Sequence, residues 1–192
     1  QSYFYFMNLS REEIFTRLDL SYETKSIVDK EILMNIDFSD YDHILCVHSK
    51  RGDILTTGLQ SPSNASFLLK ATNFVYLRQE ANSKLVLLIG DDLDWQKDIA
   101  TTLTSQGKNV VVLPRLNSTT SSVADLHISR KFCDTVLLTA SASTIGWWMA
   151  YLSKGQNVYY NYQPSTDPLY TKEFESTQFF PSSWMPLKSS EL

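Results

Sequence analysis

Hydrophobic spacing changes character once along the chain. Over residues 1–40 apolar positions recur at helical intervals. Ser10 and Glu13 make an S-x-x-E capping box ahead of Ile14, Phe15 and Leu18, and Ile27, Val28, Ile32, Leu33 and Ile36 continue the stripe. The opening run Tyr3-Phe4-Tyr5-Phe6 reads as a strand or as a detached end of something larger. From residue 41 to 188 short apolar runs alternate with helical stretches. Strands are predicted at 43–48, 84–89, 109–113, 135–139 and 158–160. Helices are predicted over about 63–80 and from Asp94 to about 105, the latter closed by Gly107 as a C-cap glycine. Another holds Val123, Ala124, Leu126 and Ile128, and a last one carries Trp147, Trp148 and Met149 and is ended by Gly155. The Ser/Thr run Ser118–Ser122 reads as a mobile loop. Strands separated by helices predict an α/β fold with a doubly wound, mostly parallel sheet, preceded by a helical preface. A Pro-rich tail closes the chain.

Composition narrows the partners. The 192 residues suffice for one well-buried domain, or a domain with an appendage, and the net charge is −4. With no long basic stripe, nucleic acid is not the expected partner, although local cations can still hold a small anion. No stretch of about eighteen apolar residues is present to span a membrane. Gln1-Ser2-Tyr3 is not a natural start, so a fragment or a processed product is expected. Cys46 and Cys133 lie in or beside apolar runs without metal-ligand spacing, which predicts buried thiols ahead of a disulfide. Three N-x-S/T sequons, at Asn8, Asn64 and Asn117, exceed the about one or two that chance supplies and point to a secretory lumen.

The candidate chemistry collects at strand ends. His48-Ser49-Lys50-Arg51-Gly52-Asp53 follows the first strand, Asp91-Asp92-Leu93-Asp94 the second, Arg115 the third and Ser141–Thr144 the fourth. On a parallel sheet these loops share one rim, where α/β sheets bind ligands. Lys50 and Arg51 supply the charge for a diphosphate. Ser143 or Thr144 would cap the following helix, whose free N–H groups suit an anion; the alternative is a cap that only stabilises the helix. Asp92-Leu93-Asp94 matches the D-x-D with which many glycosyltransferases hold a metal-bound nucleotide sugar. Asp92 and Asp94 fit better as carboxylates opening the helix that includes Trp95, and no metal is predicted. His43 and His127 read as structural, the tryptophans and Tyr151 as core, and Asp125 is ambiguous.

Taken together, these segments resemble the α-1,2-fucosyltransferase family. The carrying residues are His48–Asp53 against H-x-R-R-G-D, Asp91-Asp92-x-Asp94-Trp95 after a strand, and Asp125-Leu126, Cys133-Asp134 and Ser141-Ala142-Ser143-Thr144-Ile145-Gly146-Trp147-Trp148-Met149-Ala150-Tyr151-Leu152. Phe179-Phe180-Pro181-x-x-Trp184 suits the family's C-terminal end, and the likeness covers about residues 40–185. It implies a two-domain nucleotide-sugar transferase architecture. Residues 41–188 would be its Rossmann-like donor-binding half, and residues 1–40 a remnant of the acceptor side. It implies metal-independent, inverting transfer of fucose from GDP-fucose to a galactose-type hydroxyl, with GDP-fucose as donor substrate and no cofactor. His48 and Asp125 would meet guanine, and Lys50 and Arg51 the diphosphate, with Asp91, Asp92, Ser141, Ser143 and Thr144 also at the donor. Arg51 would act in catalysis, and Asp53 would take the acceptor proton. The implied location is the Golgi lumen, on an N-terminal membrane anchor not present in this chain. Lys50 replaces the family's first arginine, and its early glycine-rich segment is absent. Both keep open an inactive or truncated relative that binds nucleotide sugar or glycan. A generic nucleotide- or phosphate-binding α/β regulator would leave Ser141–Leu152 unexplained.

Overall fold

The computed structural model describes residues 3–57, 60–116, 118–163, 165, 171 and 175–192, with the side chains of 35, 53, 56, 57 and 118–120 left aside. Six strands form the sheet. They are β1 (His43–Ser49), β2 (Lys84–Gly90), β3 (Asn109–Val112), β4 (Thr135–Leu138), β5 (Asn157–Asn161) and β6 (Met185–Leu187). All run parallel, in the order β3-β2-β1-β4-β5-β6. This is the doubly wound order, and its direction reverses between β1 and β4, where such sheets bind ligands. The sixth strand was hidden in the sequence by Pro186. It pairs only at the sheet edge, where a missing N–H is tolerated.

The helices are α1 (Arg11–Arg17), α2 (Tyr22–Glu31), α3 (Gly52–Thr57), α4 (Ala65–Leu77), α5 (Leu93–Ser105), α6 (Ser118–Phe132), α7 (Thr144–Tyr151) and α8 (Ser176–Phe179). Period-two alternation divides the core between the two sheet faces. Leu45, Val47, Val86, Leu88 and Leu137 pack with Phe67 and Leu68 of α4 and Ile99 and Leu103 of α5. Ile44, Cys46, Leu85, Leu87, Ile89, Val136 and Leu138 pack with Val28 of α2, Ile128 of α6 and Trp147 of α7. The alternation extends past the apolar residues, sending His48 toward α6 and α7 and Ser49 toward α5.

The preface is part of this core. Its capping box forms as expected, Ser10 accepting from the Glu13 N–H while Glu13 accepts from the Ser10 N–H. Val28 and Ile32 are fully buried. Tyr3–Phe6 is neither a strand nor a detached end but a short 3-10 helix, its Phe6 ring 5.2 Å from Trp148 and 5.5 Å from Trp147. At the other end, Phe180 stacks on Tyr160 at 3.9 Å, and the Trp147 indole N–H donates to the Phe179 carbonyl at 2.9 Å.

Three local expectations are corrected. Ser118–Ser122 is the first turn of α6 and not a loop, since hydroxyl residues are at home at a helix start. α7 closes at Leu152, before Gly155. Gly155 is instead a point of close approach, where a Cβ would lie 2.0 Å from the Asp134 carbonyl oxygen. Cys46 and Cys133 are not free thiols but a disulfide with Cα atoms 5.5 Å apart. Their separation of 87 residues concealed a proximity that the β1–β4 pairing creates.

Candidate functional site

The rim at the carboxyl ends of β1, β2 and β4 is braced by polar side chains of small size. The Thr139 N–H and hydroxyl both donate to the His48 carbonyl, at 3.1 and 2.9 Å. Ser63 shares a hydrogen bond with the Thr139 hydroxyl at 2.7 Å and accepts the Lys50 N–H at 3.0 Å, while its own N–H donates to the Lys50 carbonyl at 2.9 Å. Gln96 of α5 donates to the Ser49 hydroxyl at 2.8 Å. This frame fixes where Lys50 and Arg51 leave the sheet.

Lys50 and Arg51 diverge. The Lys50 ammonium lies 2.8 Å from the Asp91 carboxylate, which also accepts the N–H groups of Arg51 at 2.9 Å and Gly52 at 3.1 Å. A side chain at position 52 would place its Cβ 2.7 Å from Asp91 Oδ2, which accounts for glycine there. Burial tends to raise the Asp91 carboxyl, but the Lys50 ammonium and the Arg51 N–H outweigh it and hold it below its ordinary value. Arg51 turns toward α5. It donates from Nε to Asp92 at 3.2 Å and from Nη1 to the Ser63 carbonyl at 2.8 Å, and its guanidinium sits 4.7 Å over the Trp95 ring.

His48 and Asp125 face the crevice from opposite sides. The His48 imidazole is buried, its Nδ1 has no hydrogen-bond partner among the described residues, and burial lowers its pKa to about 4, with Lys50 and Arg115 adding to the shift against Asp91. It is therefore neutral at physiological pH. A Cβ on Gly146 would lie 2.6 Å from that Nδ1, so the α7 backbone closes on the ring. Asp125, 4% exposed, is pushed up to about 6 by burial, against the pull of Arg115, whose Nη1 donates to Oδ2 at 2.7 Å. His48, Lys50, Asp91, Arg115 and Asp125 line one crevice of ≈ 40 Å³, room for a base edge rather than a nucleotide. A larger hollow of ≈ 420 Å³ opens nearby between Pro62, Asn64, Phe67, Lys70 and Asn161.

The other predicted residues fall as follows. Asp92 caps α5 by accepting the Trp95 N–H at 3.2 Å, and Asp94 pairs with Lys97 at the surface. Among the described residues no group of three His, Cys, Asp or Glu side chains stands together as metal ligands. Ser143 caps α7 through the Gly146 N–H. Ser141 is buried and its hydroxyl donates to the Asn161 carbonyl at 2.6 Å, while Thr144 is exposed. Asn8 and Asn64 are exposed. The Asp53 side chain and Asn117 lie outside the described residues. Arg115 opened a strand-end loop in the sequence, but its link to Asp125 is visible only in three dimensions. Ser63 and Thr139, the braces of the rim, carried no sequence signal.

The sequence profile described as glycosyl transferase family 11 matches residues 1–188. The chain belongs to that family. Two galactoside 2-alpha-L-fucosyltransferases of Caenorhabditis elegans are 33% and 32% identical to it, over 86% and 83% of this chain and 46% and 44% of their own. A third relative from that organism, svh-11, is 35% identical over 98% of this chain and 50% of its own length. The family 11 chain thus spans about half the length of the curated relatives it matches. The solved structure of the α-1,6-fucosyltransferase NodZ co-crystallised with GDP aligns with a TM-score of 0.50 at 17% identity, over 70% of this chain and 42% of NodZ. That likeness is one of fold. The α/β reading and the resemblance to the α-1,2-fucosyltransferase family drawn from the motifs are both borne out.

Proposed function

We propose that this chain forms the donor side of an α-1,2-fucosyltransferase that carries fucose from GDP-fucose to a galactose-type hydroxyl. The observation that carries the reading is the meeting of His48, Lys50, Asp91 and Asp125 in one crevice beside the β1–β4 reversal of a family 11 sheet. His48, as the neutral imidazole, and Asp125, as the carboxylate, meet the guanine edge. Lys50 and Arg51 meet the diphosphate and offset the charge that grows on GDP as the fucose C1–O bond breaks. The acceptor oxygen attacks from the opposite face of the sugar, and Asp53 takes its proton. Asp91 positions Lys50, and Asp92 positions Arg51.

The Cys46–Cys133 disulfide and the exposed sequons at Asn8 and Asn64 support a secretory, Golgi-type lumen. Lys50 in place of arginine favours a second reading, a relative that binds donor without turning it over. Calorimetry on folded protein with GDP, GDP-fucose, UDP and a UDP-sugar tests donor choice, and equal or stronger UDP binding overturns it. GDP affinity should survive a chelator, since cations replace a metal here; a large, reversible loss would restore Asp92 and Asp94 as ligands. Tight GDP binding without transfer to a galactoside would select the second reading.

A further inference from the structure

We propose that Arg115 is a positioning residue for donor recognition, holding the Asp125 carboxyl charged and oriented to accept the paired N–H donors of a guanine edge. The inference rests on the donor reading above and goes beyond it in naming what makes Asp125 competent. A carboxylate accepts from both the ring N–H and the exocyclic amine of guanine only while ionised; once protonated it becomes partly a donor and opposes that edge. Asp125 is buried on α6, where the neutral form is favoured unless a partner compensates. Arg115 is the compensating group. It reaches in from the loop after β3, donates to Oδ2 at 2.7 Å and is itself 19% exposed. Oδ1 has no hydrogen bond from the described protein and belongs to a residue lining the crevice.

The remaining neighbours do not substitute for it. Asp91 at the end of β2 repels a charge on Asp125. Lys50 at the end of β1 is paired with Asp91, and His48 beside it is neutral. From α7 the crevice is lined by Ile145, which carries no charge. With Arg115 present the Asp125 carboxyl still sits at about 6, so its removal carries protonation toward neutral pH.

The test is calorimetry with GDP, inosine diphosphate (which lacks the exocyclic amine) and UDP from pH 5.5 to 8.5. The intact protein should hold GDP with a flat profile above pH 7 and weaken below about 6. It should prefer GDP over inosine diphosphate by about tenfold, the loss of one hydrogen bond to a charged group. Arg115→Met should move the decline up by about two pH units, giving about tenfold weaker GDP binding at pH 7. Arg115→Lys, which keeps the charge, should restore most of the profile. A uniform loss in Arg115→Met with an unmoved profile overturns the inference. If that variant does not fold, carbon-13 titration of Asp125 in the intact protein and in Arg115→Gln decides. An Asp125 titration point that falls when GDP binds and is raised in Arg115→Gln supports the proposal, and one that is the same in the intact protein and in Arg115→Gln overturns it. Failure of the intact protein to prefer GDP over UDP would instead overturn the donor reading itself.

Discussion

Lys50 and Arg51 are adjacent in the chain but held by different acids, Asp91 and Asp92, and Arg51 also braces a carbonyl and an aromatic ring. Lys50 is a point charge where a planar fork could reach two phosphate oxygens. Lys50→Arg should therefore tighten GDP binding by about 1 kcal/mol, while Arg51→Ala should weaken it by about 2–3 kcal/mol and also lower the melting temperature. Calorimetry and thermal melts check the order; neutrality of both variants would reduce the hexapeptide to a surface turn. Asp125 carries a separate prediction about stability. Its folded pKa of about 6 lies above the ordinary 3.8, so the carboxyl burdens the fold increasingly as pH rises from about 4 to 6 and not at all below. Asp125→Asn should gain on the intact protein by about 3 kcal/mol between pH 4 and 7 in denaturant titrations, and a constant difference would refute the shift. His48 runs the opposite way, its lowered pKa of about 4 making the fold stronger as pH rises toward 6.5. At this scale the sequence showed which residues are unusual but not their charge states, because burial and the Arg115 contact arise only on folding.

Helix α7 shows how an element can be legible in outline and opaque in detail. Its N-cap Ser143, its buried Trp147 and its place after a strand were all readable from spacing. The reason for Gly146 was not. A glycine one turn into a helix normally costs about 1 kcal/mol against alanine, and here it lets the backbone sit against the His48 ring, 2.6 Å from a would-be Cβ. The ring is buried against this backbone and must shift to admit a methyl, so Gly146→Ala should destabilise by about 1–3 kcal/mol despite the better propensity. It should also weaken GDP binding through His48. A variant at or above the parent's stability, with unchanged affinity, would mean that α7 does not set the histidine. Boundaries elsewhere failed for similar reasons: Ser118–Ser122 joined a helix, and Met185–Leu187 became a strand, because pairing and packing overrode local composition.

On the scale of the molecule, the alternation of strands and helices announced the doubly wound sheet, and the preface joined it through Val28, Ile32 and Phe6. What spacing could not announce was which distant segments touch, and the disulfide is the clearest case. Cys46 lies two residues before His48 on the same sheet face, and Cys133 follows α6, the helix that bears Asp125. The bridge therefore ties together the two elements that carry the proposed base-reading pair. Closing a loop of this length restricts the unfolded chain by about 4–5 kcal/mol in the entropic account, with about 2–5 kcal/mol usual on removal. The Cys46→Ala, Cys133→Ala double variant should lose a stability in that range. Its GDP affinity should stay within about threefold in the cold, because in that account the bridge acts on the unfolded chain and not on the folded rim. Alkylation of the unfolded, unreduced parent should label neither cysteine. Labelling of both, together with a double variant as stable as the parent, would return the pair to the buried thiols expected from composition and remove the oxidising-compartment argument that rests on them.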